Sequence, residues 1–168
     1  PGFNDPDRKK TGPAIQHFFP VTNYFLGQVT EIRSGGINPL KIITINNHPD
    51  SIWIKTEELL PAFSAFLDPV IDTTNLMSLF KETRFLDQTL DAYTFTYEPI
   101  EALPDSIKLQ HWDVYIDPSK NTVRRIYMLK KDGDKTIHLT WQGNEWCKKV
   151  GISKEGEIEM EEIIKWKF

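Results

Sequence analysis

The sequence predicts an α+β fold: a curved antiparallel meander sheet of five to seven strands with N-terminal helices packed on one face. Three observations carry that prediction. The first part of the chain spaces its apolar residues at helical intervals. From about Lys81 onward, β-rich runs dominate. Short turns built on Asp, Asn and Gly separate those runs, and short turns force antiparallel neighbours.

The chain has 168 residues, which suits one domain with a real core. Its single cysteine, Cys147, makes no internal disulfide. With 20 Lys+Arg against 24 Asp+Glu the net charge is −4, so no basic footprint points to nucleic acid. No run approaches the ~18 apolar residues of a membrane span. Aromatic residues at 12% speak for an ordered core. None of this names a function class. Residues 1–13 (PGFNDPDRKKTGP) are dense in Pro, Gly and charge and read as a flexible leader or tether, because they offer too little apolar surface to offset ordering entropy. Residues 14–168 read as one domain.

Along that domain, Val21, Tyr24, Phe25, Gln28, Val29 and Ile32 form one face of a helix over 20–32. Pro20 suits the helix start and Gly35-Gly36 its stop. Residues 40–46 (LKIITIN) read as a strand, broken at Asn47-His48-Pro49-Asp50, and a short β-like run follows at 51–55. Thr56 fits an N-cap, with Glu57 and Glu58 in the first turn. Leu59, Leu60, Phe63, Phe66 and Leu67 follow as an apolar stripe that Pro61 delays or kinks. A short helix over 75–80 is expected, capped by Asp72 or Thr73. The run 92–98 alternates as a strand and extends one edge of the meander 107–116, 122–131, 135–142, 145–153 and 157–168.

Turn lengths then set the register. Two-residue loops at Asp132-Gly133 and Gly143-Asn144 place Met128 opposite Ile137 and Trp141 opposite Trp146. One face collects Tyr115, Ile126, Met128, Ile137, Leu139, Trp141, Trp146 and Val150. The other collects Trp112, Val114 and Tyr127 with His138, Thr140 and Cys147.

No catalytic motif stands in the sequence: no G-x-S-x-G, P-loop, H-E-x-x-H or C-x-x-C. His111, Asp113 and Tyr115 alternate on one strand and share a face. His111 and Asp113 are the candidate catalytic pair for acid–base work. His138 is expected on the opposite face unless a bulge intervenes, which argues against a metal site. Trp112, Tyr115, Tyr127, Trp141 and Trp146 are the candidate ligand-binding residues, since Trp and Tyr offer flat apolar area with a polar handle. No metal or other cofactor is implied.

The runs Gln110-His111-Trp112-Asp113-Val114-Tyr115-Ile116-Asp117-Pro118, Arg125-Ile126-Tyr127-Met128-Leu129-Lys130, Leu139-Thr140-Trp141-Gln142 and Glu145-Trp146-Cys147-Lys148 resemble uncharacterised cell-envelope lipoproteins of Bacteroidetes-type bacteria. The resemblance implies a periplasmic or outer-membrane location, with any membrane contact through an N-terminal lipid anchor, and implies no activity. In architecture the expected sheet is also similar to lipoprotein-carrier folds. The leading expectation is a non-enzymatic protein that binds a hydrophobic ligand or a protein partner through an aromatic-lined sheet face, with lipid, glycan and protein as candidate partners. The alternatives are a hydrolase-like enzyme using His111 and Asp113, and a structural or assembly protein with an open edge at 157–168.

Overall fold

A computed structural model describes residues 18–72 and 76–168. The leader at 1–13 and the cap at Thr73 lie outside the described residues. The architecture is α+β. Nine strands form one open antiparallel sheet: β1 (Leu40–Ile45), β2 (His48–Trp53), β3 (Phe80–Asp87), β4 (Ala92–Pro99), β5 (Leu109–Asp117), β6 (Thr122–Asp132), β7 (Lys135–Gln142), β8 (Trp146–Ile152) and β9 (Ile158–Lys165). Their order is β2-β1-β9-β8-β7-β6-β5-β4-β3. Five to seven strands is therefore an undercount. The expected break after β1 is only the two-residue turn Asn46-Asn47, both at positive φ, so a hairpin forms there. The second omission is β3, which charge and a missing alternation conceal in the sequence.

The helices are α1 (Val21–Ser34), α2 (Leu59–Ala62) and α3 (Ser64–Leu67). α1 buries Val21, Phe25, Gln28, Val29 and Ile32 on the predicted face. It ends as predicted: Gly36 takes φ +65°, its N–H bonds Arg33 O, and the Ile37 N–H bonds Ile32 O, which satisfies two carbonyls of the last turn. The second apolar stripe is a 3-10 turn (Thr56–Glu58) followed by α2 and α3, separated at Phe63. Leu59, Phe63 and Phe66 are buried, while Leu60 is exposed. In place of a helix over 75–80 stands a 3-10 turn, Met77–Leu79, and Phe80 already belongs to β3.

All three helices cover one face of the sheet. Its centre is Trp141, fully buried, with Phe25, Phe63, Phe66 and Trp166 at ring-centroid distances of 4.8–5.3 Å. Toward β3 a second aromatic stack continues the core, with Tyr97 parallel to Trp112 at 4.7 Å and Phe80 at 4.6 Å from Trp112. Ile126, Met128, Leu139 and Cys147 complete the covered face.

Two features move residues between faces relative to the expected register. The β5–β6 ladder shifts between Tyr115 and Ile116, so Asp113 opposes Tyr127 and Trp112 opposes Met128. The β7–β8 turn has three residues, so Gln142 opposes Trp146 and Trp141 opposes Cys147. Trp112, Val114 and Cys147 consequently face the helices. Tyr115, Trp146 and Val150 face away from them. At Asp132-Gly133 the loop is Gly133-Asp134 instead, pairing Met128 with Leu139. That slip of two residues leaves the faces of β6 and β7 unchanged.

Candidate functional site

The face opposite the helices carries the candidate site. Direct cross-strand neighbours share a face, and three rows of them run across the sheet. One row is Phe85, Thr94, Tyr115, Arg125, Gln142, Trp146 and Lys165. The next is Thr83, Thr96, Asp113, Tyr127, Thr140 and Lys148. The third includes His111, Leu129, His138, Val150 and Glu161. Polar side chains make up most of these rows, with the rings of Phe85, Tyr115, Tyr127 and Trp146 and the aliphatic Leu129 and Val150 set among them, in contrast to the apolar helix side.

Asp113 stands at the middle. One carboxylate oxygen accepts the Thr96 hydroxyl at 2.8 Å. The other lies 2.8 Å from His111 Nε2, which donates its hydrogen. The Tyr127 hydroxyl meets His138 Nδ1 at 2.5 Å, and the Thr136 hydroxyl lies 3.5 Å from His138 Nε2. Arg125 Nε donates to Gln142 Oε1 at 2.9 Å. His111, Asp113, Tyr115, Tyr127 and His138 are all half-buried, so their polar tips are held by neighbours while part of each remains open to solvent. Burial raises the phenol pKa of both Tyr115 and Tyr127, and the nearby Asp113 charge raises it further. Both phenols therefore stay neutral and able to donate.

The structure thus joins the His111–Asp113 pair anticipated from alternation, and adds His138 to the same face. The expectation that His138 points away fails because the ladder shift between Tyr115 and Ile116 reverses the parity of β6 and β7 relative to β5. The five candidate binding residues divide. Tyr115, Tyr127 and Trp146 stand on the open face. Trp112 and Trp141 are corrected to core residues: both are fully buried beneath the helices, out of a ligand's reach. Thr96, Arg125, Gln142 and His138 belong to the open face with no local sequence signal, since only the register brings them together.

The cavities lie elsewhere. One of about 450 Å³ is lined by Arg84, Phe85, Leu86, Tyr93 and Phe95, and another of about 370 Å³ lies by Leu103 and Gln110. Among the described residues no cluster of three or more His, Cys, Asp or Glu is placed to hold a metal ion. Cys147 is buried, and that burial pushes its thiol pKa well up, which disfavours the reactive thiolate. No protein-family model, curated protein or solved structure matches the chain.

Proposed function

We propose that the protein is a non-enzymatic binding module that takes a polar, polyhydroxylated ligand, a glycan chain, across the uncovered face of its sheet. The observation behind this reading is the chemistry of that face. Hydrogen-bonding groups of both kinds, Asp113, His111, His138, Arg125, Gln142, Thr83, Thr96 and Thr140, stand in rows with Tyr115, Tyr127 and Trp146. Flat rings with polar neighbours suit sugar rings, which have apolar faces and hydroxyl rims. A bound chain lying across the strands from Tyr115 to Trp146 would follow three strand spacings, about 14 Å, the reach of a few linked sugars. A hydrophobic ligand is the weaker reading, because the apolar face is already filled by the protein's own helices. A hydrolytic use of His111 and Asp113 is weaker for another reason: the pair stands on an open face, and the cavities described above are lined by other residues. A periplasmic or cell-surface setting, as the resemblance to envelope lipoproteins implies, fits the proposal because polysaccharide is abundant there.

Affinity electrophoresis against a panel of soluble polysaccharides, followed by calorimetry with oligosaccharides of the retained one, tests the reading. Tyr127→Ala and Trp146→Ala are each expected to weaken binding about tenfold, or about 1.4 kcal/mol, with the circular-dichroism spectrum unchanged. Retention of none of the panel, or binding that both variants leave intact, overturns it.

A further inference from the structure

Among the described residues the sheet ends at two edge strands, β2 and β3, and the two differ. β2 carries Pro49, which has no N–H to offer. The Ser51 N–H is already occupied by Asp50 Oδ1 at 2.9 Å. Both devices blunt an edge against pairing with another strand. β3, with the sequence FKETRFLD, has no proline. At its outer end Phe85 and Leu86 are 48% and 47% exposed and Tyr93, opposite Leu86 on β4, is 44% exposed, beside the 450 Å³ hollow that Arg84 and Phe95 help to line.

The charge order along β3 is self-complementary in one register. A two-fold that pairs β3 with the same strand of a second copy runs perpendicular to the sheet. Helix side meets helix side, so paired residues must share parity and the axis must pass through a residue. An axis at Lys81, Glu82 or Arg84 sets like charges face to face, and one farther out shortens the ladder. An axis at Thr83 sets Glu82 opposite the partner's Arg84 and Arg84 opposite the partner's Glu82. It also sets Phe80 opposite the partner's Leu86, bringing the covered end of one β3 beside the exposed end of the other. Within one copy Glu82 accepts from Arg84 and, with its other oxygen, from the Tyr97 hydroxyl at 2.7 Å, and Arg84 lies 5.0 Å over the Phe95 ring, so this register would set the two intrachain pairs side by side as a four-charge cluster.

We infer that β3 is a self-association edge: two copies of this chain pair antiparallel through β3 about a two-fold at Thr83. The open faces of both copies then lie on the same side, as one doubled sheet surface.

Sedimentation equilibrium of the full chain, over a range of concentrations, is expected to show a reversible monomer–dimer equilibrium. Arg84→Glu turns both Glu82–Arg84 pairs into repulsions and is expected to weaken the dimer by about tenfold or more. Thr83→Cys tests the register on the folded protein. At the axis its two copies are direct cross-strand neighbours, and mild oxidation is expected to yield a covalent dimer. Lys81→Cys, whose two copies would stand four residues apart along the strand, about 13 Å, is expected not to cross-link. A chain that remains monomeric throughout, an Arg84→Glu dimer of undiminished strength, or cross-linking as rapid at Lys81→Cys as at Thr83→Cys overturns the inference.

Discussion

Lys130 shows how a single side chain ties layers together at a cost. It lies on the helix side of β6 and is 8% exposed. Its ammonium donates to the carbonyls of Ala65 and Asp68 at the end of α3, so β6 holds the last helical turn by its free acceptors. Burial lowers its pKa from 10.5 to about 8, with Asp68 opposing that shift and Lys149 and Lys108 adding to it. Between pH 8 and 10.5 the unfolded chain keeps a proton that the folded chain has lost. The unfolded state then binds more protons, so this group adds stability as pH rises through that window. Below pH 8 the folded state carries the full desolvation cost. Urea unfolding of the wild type and Lys130→Met at pH 7, 9 and 10.5 isolates the effect from other titrating groups. The wild type is expected to gain on the variant with pH, by an amount of order 1–3 kcal/mol. A stability difference that is flat across the window contradicts the assignment.

At the scale of elements, α1 is held by its aromatic face. Phe25 is fully buried, 4.8 Å from the Trp141 ring and 5.5 Å from Phe66. Phe25→Ala opens a cavity between helix and sheet and is expected to cost about 3–5 kcal/mol in chemical denaturation. Leu26→Ala, one position away on the solvent side, is expected to stay within about 0.5 kcal/mol. Near-equal effects would mean that the helix docks elsewhere. This element was legible in the sequence because its face repeats over several turns and its stop uses two glycines. The register of the sheet was only partly so. A two-residue slip at Gly133 preserves the faces, whereas one extra residue in the Gly143–Glu145 turn exchanges Cys147 for Trp146 on the core side. The ladder shift at Tyr115 likewise sends Trp112 inward and brings His138 beside His111 and Asp113. Neither single-residue irregularity has a composition signal, so the alternation of His111 and Asp113 was readable while the wider rows across the open face were not.

At the scale of the molecule, the consequential difference is where the last strand lies. Read as a meander alone, residues 157–168 form a terminal edge whose loss removes one strand. In the structure β9 is an interior strand, paired with β8 on one side and β1 on the other. The match of Leu40 with Lys165 and Ile45 with Met160 joins the beginning of the sheet to its end. No short turn announces such a contact, because it rests on the tertiary fit of distant segments. Behind β9 the chain also supplies buried Ile164 and Trp166. Trp166 packs edge-on against Phe63 at 5.7 Å, and its indole N–H bonds Asn144 Oδ1 at 3.1 Å. Truncation after Gly156 therefore strips β8 of a partner, detaches the β1–β2 hairpin and opens the core beneath α2 and α3. The truncated chain is expected to lose its cooperative thermal transition and to bind a hydrophobic dye, whereas loss of a mere edge would lower the transition temperature and leave it sharp. Calorimetry on the two chains distinguishes these outcomes, and a sharp transition in the truncated one would show that the hairpin is an accessory to the meander instead of part of its closure.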